Sequence, residues 1–224
     1  MTEFYLVRHG QASFGKANYD ALSELGHRQA AFLGEYFSQR QLAFDRLFAG
    51  NLVRHSETVA GIRSACHGLP DDEILPSLNE FEFMAVVDAY LQANPDAKPE
   101  STASAQVYYR ILKQAMLAWS RNELDERQLP ETWLQFEQRV GDALSDIIAT
   151  QARRVLVVSS GGVIAMMLRH ILGYDASRVI NVNLQIKNAS FSQCLATRSG
   201  LYMSSFNNIP HLDLPERQHA ITYS

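Results

Sequence analysis

The chain has 224 residues, of which 46% are hydrophobic and 20% are charged, and its formal net charge is −4 at pH 7. This length allows one large domain or two small ones, and the composition is ordinary for a soluble globular protein. No block of like charge stands out, so neither nucleic acid nor an anionic membrane is indicated as a partner.

The N-terminus and the cysteine content bear on where the protein works. The first residues show no charged segment leading into an apolar stretch, and no apolar run approaches the roughly 18 residues of a membrane span. The two cysteines, Cys66 and Cys194, are too few for a disulfide framework and lack metal-ligand spacing. We therefore expect a soluble cytoplasmic protein whose cysteines are buried and inert.

Three short apolar runs have the pattern of strands that are buried on both faces of a parallel sheet. In chain order they are Phe4–Val7, the weaker run Arg46–Ala49, and Val155–Val158. A turn-rich stretch and then a helical pattern follow each of them. This alternation predicts an α/β fold, a three-layer sandwich with a mainly parallel central sheet and helices on both faces.

The helical patterns carry signals for where they begin and end. Ser23 is a candidate N-cap for a helix that runs to about Gln39, with apolar residues at helical spacing. Residues 52 to about 66 form a second predicted helix. Val163–Leu172 is a third, apolar helix that Gly173 ends.

The stretch from about Met84 to Gln138 differs from the rest of the chain, because it is helix-rich and carries several prolines and both tryptophans. We expect a single domain, residues 1–224, in which residues 84–138 are a helical insertion over the end of the sheet that carries the site. Insertions of this kind often act as lids. Strands are predicted at Ser190–Thr197 and Tyr202–Phe206, followed by a loose C-terminus.

Distinctive polar groups follow the three predicted strands, and ligands in open α/β sheets bind at the carboxyl ends of strands. The first strand delivers Arg8 and His9, and Gly10 allows the chain to turn there. A neutral imidazole nitrogen can attack phosphorus in line, and a guanidinium can neutralise the phosphoryl oxygens. A lone Arg-His pair is weak evidence, since it also occurs at exposed strand ends.

Several further motifs occur in a fixed order along most of the chain. Arg8-His9-Gly10 is followed by Leu22–Ala30, which has the pattern Leu-Ser-x-x-Gly-x-x-Gln-Ala. Asn51–Thr58 places an arginine at a helix start, and Leu78-Asn79-Glu80 contains an acid. Val155–Leu168 is a strand, a Gly-Gly pair and a helix. In content and order these motifs closely resemble the histidine phosphatase superfamily, also called the phosphoglycerate mutase-like family.

The resemblance implies a role for each matched residue. His9 would be the nucleophile that becomes phosphorylated, and Arg8 and Arg54 would hold the phosphoryl group. Glu80 would be the general acid for the leaving alcohol and then the base for water, which requires a desolvated or anion-rich site that raises its pKa. Glu82 is the alternative acid, since an extended backbone would place both carboxylates on one face. Motif position favours Glu80.

One position departs from the family at the centre of the site. The family presents a second histidine just before the Gly-Gly pair, and this chain has Ser160 there. A hydroxyl can donate one hydrogen bond but supplies no imidazolium charge, and losing one preorganised donor typically costs about 100- to 1000-fold in rate. Ser160 is either a phosphate donor, together with the helix N-terminus at Gly161, or a simple N-cap.

Three other histidines are candidates to replace the missing imidazole. His55 would lie about 100° around its helix from Arg54, His170 is near the far end of its helix, and His211 is in the tail. Each is interpreted as a surface or capping histidine, with His211 the best of the three. No cluster of residues has metal-ligand spacing, so we expect a mechanism without a metal or other cofactor.

The leading hypothesis is a phosphatase that hydrolyses a small-molecule phosphomonoester through a phosphohistidine at His9. A catalytically weak protein that binds phosphorylated ligands is the second hypothesis, because of Ser160. A mutase is the third, since Gly15 stands where mutase members carry an asparagine six residues past the nucleophile, and Asn18 is a candidate replacement. A homodimer is left open, because dimers are the commonest assemblies.

Overall fold

The computed structural model describes residues 1–13, 20–100 and 104–223 and contains a six-stranded mixed sheet. The strands are β1 (Thr2–Arg8), β2 (Arg46–Ala49), β3 (Asp72–Ile74), β4 (Arg154–Ser159), β5 (Phe191–Thr197) and β6 (Gly200–Asn208). Their order is β3-β2-β4-β1-β5-β6. The first four strands of this order pair in parallel, while β5 pairs antiparallel with both β1 and β6. The predicted mainly parallel α/β sheet is therefore confirmed.

The register of the parallel strands places the three turns that follow β1, β2 and β4 together at the carboxyl ends of these strands. Arg8 lies opposite Ser159, and Ala49 lies opposite Val158. The backbone N–H of His9 then donates to the Ser159 carbonyl at 2.9 Å, which extends the ladder by one bond. Because β1, β2 and β4 end at the same level, the residues that follow them meet.

Seven α-helices cover the two faces of the sheet within the described part of the chain. They are α1 (Glu24–Gln39), α2 (Val53–Ala65), α3 (Phe83–Ala93), α4 (Ala105–Ser120), α5 (Trp133–Ala149), α6 (Gly161–Leu172) and α7 (Ala176–Asn183). Alternate side chains of β1 belong to different cores. Tyr5 and Val7 pack with α1 and α2, while Phe4 and Leu6 pack with the helices of the other face. This arrangement is the predicted three-layer sandwich.

The first helix begins as its sequence predicts. The Ser23 hydroxyl accepts a hydrogen bond from the Gly26 N–H at 3.0 Å and caps α1. Leu33 and Phe37 are completely buried on the inner side of the helix. The ring of Phe37 meets the ring of Tyr5 edge to face, with the centroids 5.9 Å apart.

The segment between β3 and β4 contains three helices that share one core with the sheet. The two tryptophans, Trp119 and Trp133, lie edge to face with ring centroids 5.1 Å apart. Phe81, which directly follows Glu80, packs against Trp119 at 4.8 Å. The main chain at residues 77–79 is held by Arg139, whose Nη1 donates to the carbonyls of residues 77 and 79. These contacts tie the helical segment to the candidate site.

The C-terminal segment differs from its prediction. The two tail strands are present, but the residues after them are packed and not loose. Ala220 is completely buried, and its carbonyl accepts a hydrogen bond from Gln29 at 2.7 Å. The Tyr223 carbonyl accepts a hydrogen bond from Arg8 at 2.7 Å. Buried donors near β1 need acceptors, and the last turn of the described chain supplies them.

Two elements are absent from the predictions because their sequences lack an apolar run. Strand β3 is a three-residue edge strand with exposed Asp72 and Ile74, and α7 is a short helix capped by Asp175. Both cysteines are buried free thiols, as expected. No helix in the described ranges is both long enough and apolar enough to cross a membrane.

Candidate active site

His9 lies at the carboxyl end of β1, with its side chain 6% exposed. Its Nδ1 atom is 2.7 Å from the carbonyl oxygen of Gly10. A carbonyl only accepts hydrogen bonds, so Nδ1 carries the ring proton. The lone pair of the neutral ring is therefore on Nε2.

The surroundings keep this imidazole neutral. Burial lowers the pKa of His9 well below its ordinary value, and the positive charges of Arg8 and Arg54 lower the pKa further. The neighbouring His55 contributes in the same direction. A neutral imidazole with a free Nε2 lone pair is the form that can act as a nucleophile.

Two glycines allow the loop after His9 to lie directly against the start of α1. A Cβ atom on Gly10 would collide with the carbonyl of Gly26, and a Cβ on Gly26 would collide with the carbonyl of Gln11. The two backbones therefore approach closer than any other residue type allows. The Gly10 N–H donates to Thr58 Oγ1 at 3.1 Å, which links the loop to α2 as well.

The motif glutamine of α1 fixes the same loop from inside the protein. Gln29 is completely buried, and its Oε1 accepts a hydrogen bond from the Gln11 N–H at 2.8 Å. Its Nε2 donates to the Ala220 carbonyl. The side chain thus joins the loop after β1 to the C-terminal segment.

Arg8 reaches the N-terminus of α6. Its Nη1 donates to the carbonyls of Ile186 and Tyr223. Its Nε lies 3.6 Å from the point where a Cβ atom of Gly161 would stand. The same point is blocked by the side chain of Asn183, at the end of α7. Gly161 therefore makes room for the Asn183 side chain, and Arg8 lies beside the same point at ordinary contact distance.

Arg54 is held by an acid that the sequence does not mark. Its Nη1 lies 2.7 Å from Asp20 Oδ1, and only 11% of the Arg54 side chain is exposed. The other carboxylate oxygen of Asp20 accepts a hydrogen bond from the Val53 N–H at 2.8 Å. Asp20 thus aligns the first turn of α2, and no pattern in the sequence identifies it beforehand.

Glu80 faces the Gly-Gly end of α6. Its Oε2 accepts a hydrogen bond from the Gly162 N–H at 2.9 Å, and a Cβ on Gly162 would collide with the carboxylate. Burial raises the pKa of Glu80 in spite of this bond and of the Arg54 charge, which both favour the ionised form. Glu82 is exposed at the N-cap position of α3, so the structure places Glu80 against α6.

Ser160 occupies the N-cap position of α6, but its side chain makes no capping hydrogen bond. Its Oγ lies 2.8 Å from Nε2 of His55. Both residues are buried, with exposures of 1% and 0%. The interpretation of Ser160 as a simple N-cap is therefore wrong, since its hydroxyl is engaged with an imidazole from another element.

The interpretation of His55 as a surface or capping histidine is also wrong. Its ring lies beside the ring of His9, with centroids 5.7 Å apart. Gly50 makes room for it, because a Cβ there would collide with the imidazole Nδ1. The rotation of about 100° from Arg54 turns His55 toward Ser160, and both residues still act on His9.

The other two candidate histidines lie elsewhere. His170 is exposed near the end of α6, with Nε2 3.0 Å from the Glu137 carbonyl. His211 is 3% exposed and packs beside Tyr36, with ring centroids 6.3 Å apart. Its interpretation as a surface or capping histidine is wrong, because the tail folds back onto α1.

The predicted site residues converge on the carboxyl ends of β1 and β4. The six residues are Arg8, His9, Arg54, Glu80, Ser160 and Gly161. The sequence offered His55 as a candidate but favoured a surface or capping role for it, and it did not indicate Asp20, Asn183 or the Tyr223 carbonyl. The positions of all four depend on contacts between distant segments. The predicted mutase position Gly15 and its candidate replacement Asn18 lie outside the described residues.

Comparisons with known proteins agree with this fold. A model of the histidine phosphatase superfamily (branch 1) matches residues 4–209. No curated protein matches the chain. Solved structures with a similar fold include alpha-ribazole phosphatase from Shigella flexneri, at 21% identity and a TM-score of 0.63, over 92% of this chain and 96% of that chain.

Two further solved structures differ in the activity that their names give. Phosphoglycerate mutase from Bacillus anthracis is 21% identical with a TM-score of 0.65, over 94% of each chain. A mutant phosphoserine phosphatase from Entamoeba histolytica, in complex with phosphoserine, is 18% identical with a TM-score of 0.61, over 95% of this chain and 100% of that chain. These identities are low, so the likeness shows the fold alone.

Proposed function

The chain belongs to branch 1 of the histidine phosphatase superfamily, and on that premise we propose that it is a phosphatase that hydrolyses a small phosphomonoester through a phosphohistidine at His9. The observation that carries the proposal is the buried, neutral imidazole of His9. Its Nδ1 is bonded to the Gly10 carbonyl, and its Nε2 lone pair is left for the reaction. Two arginine charges act on the same ring.

In the first step, Nε2 of His9 attacks the phosphorus atom and the bond to the ester oxygen breaks. Arg8 and Arg54 neutralise the phosphoryl oxygens, where charge gathers in the transition state. Glu80 gives its proton to the departing alkoxide, which leaves as the alcohol. The raised pKa of Glu80 supports this role, because the carboxyl group must hold a proton when substrate binds.

In the second step, the carboxylate of Glu80 accepts a proton from water. The water oxygen attacks phosphorus, the bond from phosphorus to Nε2 breaks, and inorganic phosphate is released. His9 and the protonated Glu80 are then as they were at the start. Side chains of the described residues carry out both proton transfers and neutralise the phosphoryl oxygens, with water as the second reactant, so the proposal requires no metal ion.

The chemistry and the solved structures support a proposal for the substrate class. An alpha-ribazole phosphatase and a phosphoserine phosphatase share the fold, and both names denote phosphatases of small molecules. The phosphate site described here would hold the common phosphoryl group. We therefore propose a small phosphorylated metabolite as substrate, without choosing among alcohols.

A second candidate function is a protein that binds phosphorylated ligands with weak activity. The observation that favours it is Ser160, which stands in place of the family's second histidine. Under this alternative the site binds inorganic phosphate but releases almost none from a phosphomonoester. Turnover decides between the two.

The test is hydrolysis of para-nitrophenyl phosphate in buffer containing EDTA, with wild type and His9→Ala side by side. His67→Ala is the matched control, because His67 is an exposed histidine just after α2. We expect turnover in wild type and in the control, and none above background in His9→Ala. Equal activity in His9→Ala would overturn the proposal. An inactive wild type that binds inorganic phosphate would support the second candidate.

A further inference from the structure

The site contains two imidazoles, although the motif position for the second one holds a serine. His55 enters from the first turn of α2, and Ser160 enters from the end of β4. Their side chains meet at 2.8 Å in the interior of the protein. The His55 ring lies 5.7 Å from the ring of the proposed nucleophile, measured between centroids. A second imidazole is thus present, delivered by a different element.

We propose that His55 and Ser160 act as one donor to the transferring phosphoryl group, an inference that rests on the proposed function. Ser160 donates its hydroxyl hydrogen to a phosphoryl oxygen. His55 donates from Nε2 to Ser160 Oγ and thereby holds the hydroxyl in that direction. Ser160 is the catalytic residue of the pair, and His55 is a positioning residue.

The surroundings of the imidazole support this arrangement of protons. Nδ1 of His55 is buried and forms no hydrogen bond, by distance and angle, with any described residue. The Gly50 main chain lies beside this atom and raises the pKa of His55, although less than burial lowers it, and by distance and angle it completes no hydrogen bond there. The hydrogen bond that the ring completes by distance and angle joins Nε2 to Ser160 Oγ. A ring proton on Nε2 therefore satisfies the Ser160 oxygen and leaves the hydroxyl hydrogen free for a ligand.

The charge balance of the site agrees with a neutral second imidazole. Burial and the Arg54 charge lower the pKa of His55 to about 3, so the imidazole adds no third positive charge to those of Arg8 and Arg54. A phosphoryl group bound between Arg8 and Arg54 brings negative charge to the same place. That charge favours donation of hydrogen bonds by His55 and Ser160 toward it.

The packing also predicts what a histidine at position 160 would do. Ser160 Oγ is already within hydrogen-bond distance of the His55 ring, and both side chains are enclosed. A second imidazole at position 160 would have to enter the space that the His55 ring fills. Removing the His55 ring creates room for it. The two arrangements are therefore alternatives that exclude each other.

The first experiment measures kcat and KM for para-nitrophenyl phosphate in His55→Ala, Ser160→Ala and the double variant. We expect each single change to lower kcat by roughly 100- to 1000-fold with little change in KM, because the bond forms to the transferring group. The kcat of the double variant should lie within about threefold of the kcat of the less active single variant, since the pair acts as a unit. His55→Gln should recover part of the loss, because its amide can donate to Ser160.

The second experiment exchanges the two side chains. Ser160→His alone should lower kcat because of the clash. The exchanged variant, His55→Ala/Ser160→His, should have a kcat at least about tenfold higher than that of His55→Ala, because it regains one donor. Circular dichroism and thermal unfolding establish that each variant is folded. A merely structural role for His55 predicts no recovery in the exchanged variant, so equal activity of the exchanged variant and His55→Ala overturns the proposal.

Two readouts separate this proposal from the proposed function. If wild type turns over and His9→Ala does not, unchanged kcat in His55→Ala overturns the pair alone. If wild type does not turn over, the proposed function fails, and orthovanadate binding tests the pair. In that case we expect His55→Ala and Ser160→Ala to bind orthovanadate more weakly than wild type by about tenfold or more. His67→Ala is the control. Unchanged binding overturns the pair.

A spectroscopic measurement tests the assignment of the ring proton. Long-range ¹H–¹⁵N spectra of histidine distinguish a protonated Nε2 from a protonated Nδ1, and His55→Gln identifies the signal. We expect His55 to be protonated at Nε2 in the empty protein. A neutral ring that carries its proton on Nδ1 would make Ser160 the donor to His55 and would overturn the proposal.

Discussion

Replacing His211 with leucine measures the cost of keeping an imidazole neutral inside this protein. His211 is 3% exposed, and by distance and angle neither ring nitrogen completes a hydrogen bond with a described residue. The Ala189 main chain nevertheless lies close enough to raise its pKa, against the larger effect of burial. Burial lowers its pKa from 6.5 to about 3. The unfolded chain therefore binds a proton between these two pH values, while the folded protein does not.

The sign and size of the effect follow from this difference. Because the unfolded state binds more protons below pH 6.5, acidification stabilises the unfolded state, and the free energy of unfolding falls as the pH falls. With pKa values of 6.5 and about 3, the loss between pH 7.5 and pH 5 is about 2 kcal/mol for this residue. His211→Leu removes this contribution, while the other buried histidines contribute equally to both proteins.

The assay is urea unfolding of wild type and His211→Leu at pH 7.5 and pH 5, followed by the fluorescence of the buried tryptophans. At pH 7.5 we expect similar stability, since leucine replaces a buried ring that completes no hydrogen bond by distance and angle. At pH 5 the variant should be more stable than wild type by about 2 kcal/mol. His67→Leu, at an exposed position, is the control and should follow wild type. If the free energies of unfolding of wild type and variant differed by the same amount at both pH values, the reasoning would be refuted.

Two further predictions concern the acid and the loop of the site. Glu80→Gln should lower kcat for an alkyl phosphate by roughly 100- to 10,000-fold, because an alkoxide leaves poorly without a proton, whereas Glu82→Gln should remain within about twofold of wild type. Equal losses in the two variants, compared by steady-state kinetics, would contradict the assignment. Gly10→Ala should lower the free energy of unfolding by about 1–3 kcal/mol, because its Cβ would strike the Gly26 carbonyl. Thermal unfolding measures this, and an unchanged midpoint would show that the two backbones can separate freely.

The sheet could be predicted from the sequence where its strands are buried on both faces. The runs in β1 and β4 are continuous and apolar because both faces meet helices. The edge strand β3 has no such run, since Asp72 and Ile74 are exposed. The start of α1 was also predictable, because the Ser23 cap is a local interaction. Local signals therefore indicated elements, and they did so best where burial is complete.

The candidate site was predictable only to the extent that motifs carry it. Position within a motif selected Arg8, His9 and Glu80, and the structure brings them together. The environment of His55 was not predictable, because it depends on Ser160, more than a hundred residues away in the chain. A helical angle measured from Arg54 describes one isolated helix and says nothing about the element packed against it.

The packing of the C-terminal segment has a consequence for synthesis on the ribosome. Strand β1 is made before its two neighbours in the sheet, β4 and β5, and before Tyr223, whose carbonyl contacts Arg8. A nascent chain can therefore form α1 and α2 early, while the candidate site lacks its partners until Tyr223 has been made. Contacts so distant in sequence slow folding. Incomplete translation products should thus carry the Arg8-His9-Gly10 motif without an assembled site.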